Sequence, residues 1–100
     1  MKYVLLSADN SPSVYSVPNE VGDNLRKYCV DFCEEWLHES PHAKKYRIGG
    51  AIRYDEKDFI IYLNKWIFPN MPSIFIETLE WIDSNEDIPE KYKGCEWFNF

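Results

Sequence analysis

Three cysteines, two histidines and a spread of carboxylates are the residues in this chain whose types could do chemistry. Cys29 and Cys33 stand four apart within a helical pattern, which puts both thiols on one face. That spacing is neither the Cys-x-x-Cys of a redox site nor the paired spacing of a zinc knuckle. With His38, His42 or Cys95 a four-ligand set would form only if the tertiary structure brought them together, so the expectation is core thiols and no metal. Nucleophilic catalysis would need one of Cys29, Cys33, Cys95 or Ser40 beside His38 or His42, and no spacing among them forms a nucleophile elbow. Gly22, Gly49, Gly50 and Gly94 match no phosphate-cradling loop. Asp55, Glu56 and Asp58 could hold a hard cation or do acid–base work, but a helix start favours acids in the same places, and capping is the simpler reading. Sequence alone therefore assigns no catalytic, cofactor or metal residue, and the chain is not expected to be an enzyme.

Charge is distributed more informatively than the net value of −6 suggests. Between Glu77 and Glu90 lie six acids (Glu77, Glu80, Asp83, Glu86, Asp87 and Glu90) and no Lys or Arg, so this window alone equals the whole net charge. From His42 to Tyr54 the sign reverses: Lys44, Lys45, Arg47 and Arg53 occur without an acid. Tyr46 and Tyr54 stand among those cations, which supplies the ingredients of phosphate contact and base stacking. An acidic protein with four such cations would bind nucleic acid weakly and lose it to salt. Both charged stretches also serve as solvated surfaces that keep a protein in solution.

The elements that must position these residues follow from hydrophobic periodicity. Lys2 to Ser7 and Val14 to Val17 are β-prone and flank a turn-like Ala8-Asp9-Asn10-Ser11-Pro12-Ser13, which predicts an N-terminal hairpin. After Pro18, with Asn19 or a neighbour as cap, a long helix is expected to about His38, where Ser40-Pro41 stops it. Val21, Leu25, Tyr28, Cys29, Phe32, Cys33, Trp36 and Leu37 form its apolar face. A polar connector leads to the Gly49-Gly50 turn. Asp55 is the expected N-cap of a second helix with Asp58 at its third position and Phe59, Ile60, Leu63, Trp66 and Ile67 inward. A third helix is expected from Pro72 or Ser73 to Ile82, with Phe75, Leu79 and Ile82 inward. The tail holds a turn at Glu90 to Lys93 and ends on Trp97-Phe98-Asn99-Phe100, a candidate further strand.

These elements make residues 1–100 one compact α+β domain: an N-terminal β-hairpin, with room for an extra strand, packed against three helices. Its apolar runs are far shorter than the roughly 20 residues that span a bilayer. The N-terminal run Tyr3 to Leu6 is interrupted too early for a signal peptide, so the expected location is cytoplasmic. Met1-Lys2-Tyr3-Val4-Leu5-Leu6-Ser7-Ala8-Asp9, Val14-Tyr15-Ser16-Val17-Pro18, the stretch from Tyr28-Cys29 to Leu37, and Ile88-Pro89-Glu90-Lys91-Tyr92-Lys93 with Phe98-Asn99-Phe100 carry a further indication. Through them, and over essentially its full length, the chain resembles small uncharacterised proteins of Gram-positive gut bacteria. The resemblance implies an intracellular bacterial stand-alone domain and brings no function with it.

What is left is surface. Four Trp, seven Tyr and six Phe exceed what three short helices and a hairpin must bury, and exposed Trp, Tyr and Arg dominate protein–protein hot spots. Ile76 and Trp81 fall off the inward stripe of the expected third helix beside Glu77, Glu80 and Asp83, which marks that helix as the preferred partner-binding surface. The competing reading has Ile76 and Trp81 completing the core or covering the aromatic tail. The functional expectation is a small acidic interaction protein (an inhibitor, immunity-type protein or adaptor) that occupies the surface of a basic protein partner, with self-association as a variant. The alternative is a weak nucleic-acid-binding module working through Lys44, Lys45, Tyr46, Arg47 and Arg53.

Overall fold

The computed structural model describes residues 1–80 and 87–100, and it is an α+β fold built on a four-stranded sheet. β1 (Lys2–Ser7) and β2 (Ser13–Val17) form the expected antiparallel hairpin, Val4 opposite Tyr15 and Leu5 opposite Val14. Val4, Leu6, Tyr15 and Val17 point to one side and Leu5 and Val14 to the other, and all are buried. A hairpin apolar on both faces needs cover on both, and the remainder of the chain supplies it.

One face is covered by helices. The run from Asn19 begins as α1 (Asn19–Asp23), breaks at Asn24, and resumes as α2 (Leu25–Val30). It then widens into a π-helical stretch, Asp31–Trp36, and closes as α3 (Leu37–Glu39). Pro18 occupies the cap position and no side chain caps the start, so the expected capping role of Asn19 is replaced by its place as first helical residue. Gly22 is required there for clearance: a Cβ would lie 2.9 Å from Cβ of Lys2, so the helix lies against β1 only without a side chain at that position. Val21, Leu25, Cys29, Phe32 and Leu37 are buried, as the periodicity predicts.

The connector folds as a 3₁₀ turn over Pro41–Tyr46, with Ser40 Oγ accepting from the His42 N–H, rather than as an open polar loop. β3 (Arg47–Ile48) and β4 (Ala51–Ile52) then pair across Gly49 and Gly50, whose φ values of 57° and 82° are those of the type I′ hairpin turn. In α4 (Glu56–Tyr62), Asp55 accepts from the Lys57 and Asp58 N–H groups while Asp58 accepts from the Asp55 N–H, a complete capping box. Replacing Asp55 with Ala is expected to cost about 1–2 kcal/mol. In a domain of this size that lowers Tm by roughly 4–15 °C, readable by circular dichroism. Leu63–Ile67 continues α4 as a second π-helical stretch, and the altered twist leaves Trp66 and Ile67 exposed where an unbroken helix would have turned them inward.

The third expected helix does not form. Ile74–Thr78 is a strand, β5, pairing antiparallel with β2 at the edge of the sheet. Ile-Phe-Ile-Glu-Thr is β-branched and aromatic, and the open edge of β2 offers it backbone partners that outweigh the three- and four-residue spacing of Phe75, Leu79 and Ile82. Phe75, expected inward, is about half exposed. Ile82, Trp81 and Asp83 lie outside the described residues. The tail does supply the further strand: β6 (Trp97–Asn99) lies parallel to β1, giving the order β5-β2-β1-β6. The parallel pairing requires the chain to travel from one sheet edge to the other. On the way Leu79, Ile88 and Tyr92 pack on Leu5 and Val14, covering the second face of the sheet. Among the described residues no helix is long and apolar enough to cross a membrane.

Candidate functional site

β5 brings three exposed apolar side chains together at one edge of the sheet. Ile74, Phe75 and Ile76 are 57%, 53% and 39% exposed, consecutive on a strand that no other described strand covers on its outer side. The register shifts between Val14 and Tyr15, so Ile76 is the extra residue of a bulge, between Phe75 opposite Tyr15 and Glu77 opposite Val14. Phe75 meets the Tyr15 ring edge-on, centroids 5.6 Å apart, and Thr78 shares a hydrogen bond of 3.1 Å with the Ser13 hydroxyl. Between these residues and α4 runs a groove of about 440 Å³, floored by Tyr15, Ile60 and Phe75, with Ile61 and Lys57 on its far wall. Tyr15 is pushed up to about 12, first by burial and then by the charges of Glu56 and Asp55. Glu56 itself is buried, and its Oε2 has no hydrogen-bond partner among the described residues.

Of the acids expected to make the partner surface, Glu77 projects from the opposite side of β5. The Tyr92 hydroxyl donates to it, and the Lys91 ammonium lies 3.2 Å away. The two donors hold the Glu77 carboxyl below the usual carboxylate range. Glu80 is exposed two residues beyond the strand. Ile76 and Glu80 are thus on the surface, as sequence reasoning expected, but through an edge strand instead of a helix. The exposure of Ile74, Phe75 and the Tyr15 groove was missed. The signal available was the β-branched run itself, with no Lys or Pro inside it to protect an edge.

The basic segment is partly committed to the fold. Tyr46 is buried against Trp36, and Arg47 donates to the Leu37 carbonyl at 2.8 Å and the Ser40 carbonyl at 3.0 Å, closing the end of α3. Lys44, Lys45 and Arg53 stay exposed, with the Lys45 ammonium over the Tyr46 ring. Tyr54 wedges between Phe32 and Phe100.

The structure brings Cys33 and His38 to one cleft of about 410 Å³, together with Arg47 and Tyr54. Cys33 Sγ donates to the Cys29 carbonyl at 2.9 Å, and burial pushes its thiol up, as it does those of Cys29 and Cys95. Protonated thiols are poor nucleophiles and poor ligands. His42 is instead stacked on Trp66, ring centroids 4.0 Å apart. Among the described residues no group of three or more His, Cys, Asp or Glu is placed to hold a metal ion. What this arrangement can do chemically is recognise: an open strand edge, an apolar groove and charged rims. No family model, curated protein or solved structure matches the chain.

Proposed function

We propose that this chain is a protein–protein interaction module that acts by occupying its partner, taking an extended segment of a basic protein along the outer edge of β5. The observation that supports the reading is the run Ile74-Phe75-Ile76, exposed on an edge strand and continuous with the groove beside Tyr15. An added strand would satisfy the outward backbone groups of β5 and bury the remaining exposed surface of the three side chains, worth on the order of 1 kcal/mol for each. Backbone pairing supplies affinity in this mode, and the Phe75 groove supplies selectivity for an apolar side chain. Glu80, exposed beside the strand in an acidic stretch of sequence, favours encounter with a basic partner.

Tagged protein recovered from the native host's lysate, with and without nuclease, tests the reading when three forms are compared. Wild type is expected to enrich one protein regardless of nuclease. The pair Ile74→Lys with Ile76→Lys, both at exposed positions, is expected to lose it more than tenfold, and Lys44→Ala with Lys45→Ala to retain it. Undiminished recovery by the edge pair overturns the proposal. Nuclease-sensitive recovery abolished by the lysine pair would instead favour nucleic-acid binding through the segment from Lys44 to Arg53.

A further inference from the structure

A second cleft, remote in sequence from β5, has the composition of a cation site. Its floor is aromatic: Trp36 and Tyr62 lie with ring centroids 5.1 Å apart and planes at 57°. Its rim is acidic, formed by Asp31, Glu35 and Glu39, and together with Ser40 these residues enclose about 380 Å³. The three carboxylates follow one another at four-residue intervals through the π-helical stretch and α3, an arrangement of like charges that a helix does not favour by itself. Widened helical turns of this type recur at functional sites, and here one carries Asp31, Glu35 and Trp36 while the other begins directly after Tyr62.

Tyr62 points independently to a ligand. The residue is 5% exposed and lines this cleft, and its hydroxyl, which is not sealed from solvent, makes no hydrogen bond to a described residue. Tyr62 and the three carboxylates line one common space, and burial pushes that hydroxyl up, with Asp31, Tyr28 and Glu35 pushing it further. Little cationic charge within the chain answers them. Lys27 pairs with Asp31 at 3.3 Å on the open surface, whereas Glu35 and Glu39 have no ion pair among the described residues. The Arg47 guanidinium, near Ser40, is committed to the Leu37 and Ser40 carbonyls.

We infer that this cleft binds a primary alkylammonium group, its N–H donors directed to Glu35, Glu39 and the Tyr62 oxygen and its methylene stem laid on the Trp36 ring. Aromatic faces attract a cation best when carboxylates nearby complete its desolvated shell. A compact ammonium on a flexible stem suits a shallow dish with a three-sided rim. The group can arrive on a free amine or as a lysine side chain. The inference stands apart from the β5 reading, because neither Trp36 nor Tyr62 touches that edge.

Titration of the labelled protein with n-butylammonium, a linear diamine and a blocked lysine amide, followed through the Trp36 indole N–H in two-dimensional NMR, decides it. A Trp36→Phe variant assigns the signal, and sodium chloride at matched ionic strength is the control. A saturable shift is expected for the ammonium compounds and none for sodium. Affinity should fall at least tenfold in the pair Glu35→Gln with Glu39→Gln, and severalfold in Tyr62→Phe, while the rest of each spectrum stays that of the folded protein. Equal affinity for butylammonium and lysine amide would identify a lysine side chain as a sufficient ligand; a tenfold preference for the diamine would identify a free polyvalent amine. Linear shifts equal to those with sodium, or binding unchanged in the Glu35/Glu39 pair, would overturn the assignment.

Discussion

Replacing Phe32 with Ala is expected to bring the domain close to unfolding at ordinary temperatures. Phe32 has no exposed surface and is the hub of the helical-face core, its ring 5.1 to 6.0 Å from those of Trp36, Tyr54, Phe59, Tyr62 and Phe100. Those rings come from the π-helical stretch, the segment before α4, α4 itself and the residue after β6, so a cavity there loosens several elements together. Removing a buried Phe costs about 3–5 kcal/mol. Against a total stability of roughly 5–15 kcal/mol, that is a large share. At about 4–8 °C per kcal/mol, Tm should fall by roughly 12–40 °C. Ile61→Ala, on the exposed side of α4, is the matched control and should stay within about 0.5 kcal/mol of wild type in urea denaturation. Equal behaviour of the two variants would show that the aromatic cluster does not organise the core.

Alkaline pH is expected to unfold the protein in a window set by its tyrosines. Six of them titrate above the ordinary value. For Tyr15, Tyr28, Tyr46, Tyr54 and Tyr62 the main cause is burial; for Tyr92 it is the bond to Glu77. In the unfolded chain a tyrosine loses its proton near pH 10. Between that value and the folded one, about 12 for Tyr15, the unfolded state binds fewer protons than the native state, so stability falls as pH rises. The contribution is fully present below pH ~10 and gone above the folded values. Cys29, also held protonated by burial, starts the decline earlier, near pH ~8.5. Near-ultraviolet circular dichroism should therefore collapse cooperatively between about pH 10 and 12, with tyrosinate absorbance rising in the same step. Tyrosines that ionise near pH ~10 while the dichroism persists would contradict this.

Local signals that one segment carries by itself were legible in the sequence. The hairpin of β1 and β2, the apolar face from Val21 to Leu37, the Asp55 and Asp58 capping box, the Gly49-Gly50 turn and the Glu90 turn all appear where composition and spacing put them. Each depends on contacts within a few residues. The segment after Pro72 was misread because Phe75 and Leu79 satisfy a helical stripe while Ile74, Phe75, Ile76 and Thr78 satisfy a strand. Only the free edge of β2, formed by residues about sixty positions earlier, decides between them. Trp66 and Ile67 were assigned inward for a related reason: an ideal helical period does not foresee a π-helical turn.

The candidate sites divide along the same line. Sequence marked Glu77 and Glu80 as surface by their charge, and Ile76 only by its place off the stripe of a helix that the structure replaces with a strand. It could not pair Glu77 with Lys91 and Tyr92, seat Phe75 over Tyr15, or commit Arg47 to the Leu37 and Ser40 carbonyls. Nor could it bring Tyr62 under the Asp31, Glu35 and Glu39 rim.

By itself, then, the sequence determined an acidic α+β domain, its first hairpin, its two main helical runs with the Asp55 cap of the second, and an aromatic surplus. These follow from periodicity, backbone preference and charge, which act over a turn or two of chain. Tertiary structure alone decided that the third helix is an edge strand, that the tail crosses the sheet to pair with β1, and which aromatics are core and which are surface. Those outcomes depend on backbone hydrogen bonds and buried area shared between residues far apart in the chain, and a distant partner can outweigh a local preference worth only a fraction of a kcal/mol per residue.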